Sequence, residues 1–286
     1  MPSLGSAIDI GKTMVASPKS IENEASIGFK LALVGTPEAR ARLKFAFLTD
    51  RATVLEREEA ENHLREFDAA PDADTSKAFV FTLYAGPEGE PIGARGYNSI
   101  PFQGDAEAIV RQILQYRPDL AVALARRLPL FRVPACNLLI QSTSRINAWI
   151  AIVSALPGMI PPGWPITLPA AVADVLLLTK NQVVLVMRLA AAHGRSVNYS
   201  RQCKEIVATA GGALGWRTVA RELVGLVPAG AGVAIKAGIA YSGTVAVGKA
   251  ALIYYQTGRK ATTDEIRAAF DESQEEATSE VEALRK

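Results

Sequence analysis

The stretch Phe29 to Arg42 (FKLALVGTPEARAR) has the order an anion-binding turn requires: an apolar strand, Gly35, and a helix entered through Pro37. A helix N-terminus presents unbonded backbone N–H groups and the positive end of the helix dipole to an anion. Gly35, Arg40 and Arg42 are therefore the residues a nucleotide would meet. Aligned with the phosphate-loop pattern G-x-x-x-x-G-K-[ST], Arg40, Ala41 and Arg42 stand where glycine, lysine and a hydroxyl residue belong. The lysine for the phosphates and the hydroxyl for magnesium are both missing. Tyr84-Ala85-Gly86, after the second strand, supplies no aspartate for magnesium. Gly11-Lys12-Thr13 has the right residues, but the match opens on Ser6 with five residues before it, which leaves no strand to lead in. Thr179-Lys180-Asn181-Gln182 is faintly like a guanine-reading motif, yet it lacks the final aspartate and lies within a helix.

Other chemistry is sparse. The chain has two histidines, His63 and His193, and two cysteines, Cys136 and Cys203, with no metal or redox spacing. The cysteines read as reduced core or surface thiols. His193 sits beside Gly194 at a helix end, a structural position. His63 lies in a charged stretch and reads as solvated. Glu58, Glu59 and Glu61 form a charge run without the geometry of a catalytic pair, and no G-x-S-x-G or Cys–His signature is present. No catalytic residue, metal site or cofactor is expected. Asp174, Asn181 and Arg188, seven apart, form a polar stripe on one helical face. The stripe lines a groove or meets a partner, or is simply the helix's solvent face; the last is the plainer reading. Trp149 and Trp164 flank a proline-rich turn and are candidates for membrane or partner contact.

The elements that must position these residues fall into an α+β arrangement: a small α/β N-terminal domain, then an all-α apolar helical bundle. Residues 1–26 read as a loose leader, 27–128 as the α/β domain, 145–258 as the bundle and 259–286 as a charged C-terminal helix. Within the first domain, strands are expected at 29–34 and 77–84, and helices at 37–48, 106–116 and up to 128. A solvated helix is expected at 53–67, with Leu55, Leu64 and Phe67 turned inward, and a Gly/Pro loop at 86–104. From Ile146 through Ala173 there is no charged residue in 28 positions. Five prolines interrupt that run, and each interior proline costs a helix about 3 kcal/mol, so two shorter helices joined at Pro161–Pro165 fit better than one span. The next helix, 169–192, carries Asp174, Lys180 and Arg188, each costing roughly 2.5–3.5 kcal/mol at a bilayer centre. A further helix is expected at 201–227. In the last apolar helix Gly230, Ala234, Gly238, Ser242, Ala246 and Ala250 recur every four residues, a small-residue ladder suited to close helix packing. Thr262 and Glu265 then form a capping-box pattern.

Arg145 to Gly258 resembles the bacterial helical domain of unknown function 697, which occurs alone or after a Ras-like GTPase domain. The resemblance rests on Asn147-Ala148, Ala155-Leu156-Pro157 through Pro161, Pro169 with Asp174, Asn181-Gln182, Ala190 to Gly194, and Gly243 to Gly258. It implies association with a GTPase or with the inner membrane surface. The first half is weakly similar to a degenerate Ras-like GTPase domain through its strand–Gly35–helix entry.

A net charge of +2 is too balanced to point to nucleic acid. The N-terminal residues lack an apolar core of signal-peptide length, which leads to a cytoplasmic expectation. The expected function is a non-catalytic adaptor or regulatory protein that binds a protein partner, a GTPase by the resemblance, and assembles through its bundle, as a homo-oligomer or at the cytoplasmic membrane face. Two alternatives stay open: a divergent nucleotide-binding protein using Gly35–Arg42, and a membrane-inserted protein with the 157–169 segment as a re-entrant hairpin.

Overall fold

The structure, a computed structural model, describes residues 17–50, 52–85, 98–102, 104–155, 170–197 and 232–285. It divides into two compact units. One is an α/β unit of Asn23–Leu138 with Ala192–Gly194; the other is helical and takes in Met1–Glu22, Leu139–Ala191 and Arg195–Lys286. One of the points where the chain passes between them, Leu138 to Leu139, falls inside a helix. The class is α+β, as expected.

In chain order the α/β unit and its flanks comprise α1 (Pro18–Ala25), β1 (Leu31–Gly35), α2 (Pro37–Leu48), α3 (Val54–Glu61), β2 (Leu64–Phe67), α4 (Ala73–Ser76), β3 (Phe81–Ala85), β4 (Ser99–Phe102), α5 (Ala106–Tyr116), α6 (Ala121–Arg127) and α7 (Arg132–Ala155). The four strands form one all-parallel sheet in the order β2-β1-β3-β4. Leu31 pairs with Leu64 on one side and with Phe81 on the other, and Gly35 lies beside Ala85. Parallel strands are covered on both faces and read as unbroken apolar runs; Leu31, Ala32, Leu33 and Val34 are all buried, as is every residue of β3. The chain leaves β1 for β2 on one side, while β3 and β4 extend the sheet on the other. A switch point thus lies between β1 and β3 at their carboxyl ends, where open parallel sheets hold ligands.

Three expectations change here. Pro18–Ala25 is helical, with Ser17 and Ser20 exchanging hydrogen bonds at its start and Ile21 and Ala25 buried, where a loose leader was expected. The helix expected at 53–67 stops at Glu61. Thr53 and Glu56 start it with a reciprocal capping box, but β1 offers an open strand edge. The Leu31 amide donates to His63 O at 2.8 Å, and Leu64 is buried as part of β2 while Leu55 is 76% exposed. The loop expected to reach residue 104 contains β4, paired to β3 through Thr82–Ser99 to Ala85–Phe102.

The helical unit is built from α7, α8 (Ala170–Ala192), α9 (Gly232–Thr257) and α10 (Thr263–Arg285). The expected proline turn, the helix at 201–227 and residues Trp164, Cys203 and Gly230 lie outside the described residues. Gly194 (φ +72°) and Gly258 (φ +75°) end α8 and α9 in the left-handed conformation that glycine adopts freely. Thr262 and Glu265 form the expected capping box, and the Arg259 guanidinium with the Thr262 amide holds the Glu265 carboxyl down at about 2. The tail helix is not simply a solvated segment. Phe270, Ser273, Ala277 and Val281 line a buried face, and Arg145 of α7 holds Glu280 with two hydrogen bonds of 2.9 and 2.6 Å. Among the described residues no helix is long and apolar enough to cross a membrane.

The described members of the small-residue ladder differ in their surroundings along α9. Ala234 is exposed, and a Cβ added at Gly238 would meet nothing within 4 Å. Ser242, Ala246 and Ala250 are buried, but so are Tyr241 and Gly243 to Gly248, because the middle of α9 is enclosed all round. A close contact lies at Gly248, outside the ladder, where a Cβ would lie 2.5 Å from Ile140 Cγ1. Gly238→Ala is therefore expected to stabilise the chain by up to about 1 kcal/mol through helix propensity alone. Gly248→Ala is expected to cost about 1–3 kcal/mol by overpacking, with the loss reduced when Ile140→Ala is added. Denaturant unfolding of the three variants checks the order.

Candidate functional site

At the carboxyl end of β1 the turn into α2 is built as an anion site would be. Thr36 is the N-cap, its Oγ1 accepting from the Ala39 amide at 3.3 Å, and Pro37 occupies the first helical turn. Gly35 has φ +144° and approaches β3 so closely that a Cβ would lie 1.8 Å from Ala85 O. The glycine thus serves the fit of the turn against the neighbouring strand.

Arg40 does not face a ligand. Its side chain is buried and turns back along the sheet edge. Nη1 donates to Gly35 O at 2.5 Å, Asp68 Oδ1 at 2.7 Å and Phe67 O at 3.0 Å, and Nε donates to Glu66 Oε2 at 3.1 Å. The Asp68 hydrogen bond, outweighing desolvation, raises the guanidinium further above its ordinary range. Lys44, one turn on, holds Glu61 at 2.9 Å and Glu66 at 3.5 Å. Arg42 is exposed on α2. Of the three residues expected to meet a nucleotide, Gly35 and Arg40 come together, and both are engaged in fastening β1, α2 and β2. Glu66 and Asp68 were not anticipated. No local signal marks them: Leu64 and Phe67 stand three apart, a spacing that fits a helix, and Glu66 and Asp68 reach Arg40 only because β2 pairs with β1.

His63 is not solvated. It is half-buried, stacks on Phe29 with ring centroids 4.5 Å apart, and places Nδ1 2.9 Å from Phe29 O, so Nδ1 carries a proton and donates. Desolvation, with Arg127 nearby, lowers its pKa. The folded chain therefore favours the neutral ring, and the unfolded chain takes up the proton first. The resulting stability is complete above about pH 6.5 and is lost progressively below it. His63→Gln is expected to flatten the stability profile below about pH 6.5, read by chemical denaturation at each pH. Cys136 is a core thiol; burial pushes its pKa up to about 12, which leaves it unreactive.

In the helical unit Asn181, the middle residue of the polar stripe, does not face solvent and has no exposed surface. Its Nδ2 donates to Asn147 Oδ1 at 2.7 Å, Asn147 Nδ2 donates to Thr244 Oγ1 at 2.8 Å, and Thr244 Oγ1 donates to Ala240 O at 2.7 Å. Gln182 Nε2 reaches the same hydroxyl at 3.5 Å. These bonds tie α7, α8 and α9 through their buried sides, where a hydrogen bond in low dielectric also fixes which faces meet. Buried oxygens among the described residues that lack a hydrogen-bond partner include Ser144 Oγ, Asn181 Oδ1 and Ser242 Oγ, a cost the surrounding apolar packing must offset. Asp174 lies in α8, and Arg188 is half-buried on it. Trp149 is half-buried in α7. Thr244 and Gln182 were not anticipated as partners of Asn147 and Asn181. Among the described residues no group of three or more His, Cys, Asp or Glu could hold a metal ion.

Compared with known proteins, the chain matches no family model, no curated protein and no solved structure.

Proposed function

We propose that the chain is a non-catalytic adaptor or regulatory protein whose α/β unit engages a protein partner and whose helical unit mediates assembly. One observation carries this reading. Arg40, the cation best placed to meet a phosphate at the β1–α2 turn, is buried and bonded to Gly35 O, Phe67 O, Glu66 and Asp68. A turn whose own cation is neutralised internally has lost the charge that phosphate binding draws on. The buried amide cluster of the helical unit likewise serves architecture. The resemblance of Arg145 to Gly258 to the GTPase-associated helical domain suggests a GTPase as the partner, and a cytoplasmic location at the inner membrane face.

Calorimetry of the full chain with GTP or ATP and magnesium should give no saturable heat. Cross-linking in cells, followed by binding assays with purified neighbours, should yield a protein partner held equally with and without nucleotide. Saturable nucleotide binding, or a partner held only when nucleotide is present, would return the chain to the divergent nucleotide-binding class.

A further inference from the structure

We infer that Arg40 is a built-in counter-cation: its guanidinium fills an oxygen cage at the carboxyl edge of the sheet that would otherwise take a hard divalent cation. This rests on the reading of the turn as closed, and names what closes it.

The donor arithmetic points that way. A guanidinium Nη1 carries two hydrogens, yet three oxygens lie within 3.0 Å of it: Gly35 O, Asp68 Oδ1 and Phe67 O. A fourth, Glu66 Oε2, lies 3.1 Å from Nε. The oxygens outnumber the hydrogens aimed at them, as they do around a spherical ion. Two are backbone carbonyls fixed by the ends of adjacent parallel strands, so they cannot swing away. Two belong to carboxylates. An all-oxygen set with two negative charges is the chemistry that calcium and manganese ions take. The Asp68 side chain is 89% exposed, so water can complete the six to eight ligands, roughly, that such an ion needs. Lys44 answers only part of the second charge, at 3.5 Å from Glu66 Oε1. Without the guanidinium, four oxygens would face one another across the edge of the sheet, and cation uptake would relieve that repulsion.

The test compares the full chain with Arg40→Ala in metal-free buffer and in millimolar calcium or manganese chloride, by thermal unfolding and calorimetry. The wild-type midpoint should not move with either ion. The variant should unfold at a lower temperature without metal, and either ion should raise its midpoint. Saturable binding in the weak range, about 10⁻⁴–10⁻³ M, should accompany this and fall at least about tenfold when Asp68→Asn is added. If Arg40→Ala does not fold without metal, recovery of its folded circular dichroism on adding calcium is the expected result. An Arg40→Ala variant that responds to neither ion, folded or not, overturns the inference, as does wild type binding either ion as tightly as the variant. Failure of the closed-turn reading shows separately, as GTP or ATP binding by the unaltered chain.

Discussion

Gly35→Ala should abolish the stable α/β unit. The substitution meets two obstacles at once. The backbone there has φ +144°, a conformation side-chain-bearing residues rarely adopt, and the new Cβ would lie 1.8 Å from Ala85 O, with the Ala85 carbonyl carbon at 2.9 Å. The clashing atoms are backbone in a paired strand, so relief requires β1 and β3 to separate, and β1 is paired on both sides. Strain and lost pairing together should cost about 4 kcal/mol or more, set against a total of about 5–15 kcal/mol for a typical domain. Hydrogen exchange reads this directly: the amides of Leu31 to Gly35 and Phe81 to Ala85 should lose their protection. Near-native protection in the variant would show that the turn does not depend on the glycine.

The second large effect belongs to Asn147→Leu. Asn147 both donates to Thr244 and accepts from Asn181, and all three residues are fully buried. Removing it leaves the Asn181 amide hydrogens without their acceptor, and an abandoned buried donor costs more than the bond itself contributed. The expected loss is about 3 kcal/mol by denaturant unfolding. Asn147→Leu with Asn181→Leu removes both ends of the bond, and should be more stable than the single variant despite carrying one more substitution. A strictly additive double variant would mean that the carboxamides do not act as a unit.

These two sites also show where the sequence was legible. The β1–α2 turn announces itself locally: an apolar run, a glycine, a capping threonine and a proline at the helix start are adjacent, and the structure follows them. The capping box at Thr262 and Glu265 and the helix end at Gly194 are local in the same way. β2 and β4 were hidden because short strands exist through their neighbours. Leu64 becomes a strand residue only because β1 presents an unpaired edge, and nothing within Thr53 to Phe67 records that. Arg40 was misread for the same reason, since Glu66 and Asp68 are distant in sequence and arrive with β2. The ladder along α9 was real as a period, but a four-residue spacing says which residues share a face and not which face gains a close neighbour. Gly248 could not be singled out without Ile140. Asn181 lies between Asp174 and Arg188, which suggested water, whereas its partners on α7 and α9 take it into the interior.

The claim on which the account turns is that the β1–α2 turn spends its own cation and does not take a phosphate. Nuclear magnetic resonance of the labelled full chain tests this residue by residue, by following the backbone amides of Thr36 and Glu38 to Arg40 and the Nε–H of Arg40 while GTP or ATP is added with magnesium. These signals should stay in place up to millimolar nucleotide, with the Arg40 Nε–H protected from exchange by its bond to Glu66. Saturable shifts at those amides, together with release of the Arg40 Nε–H, would contradict it.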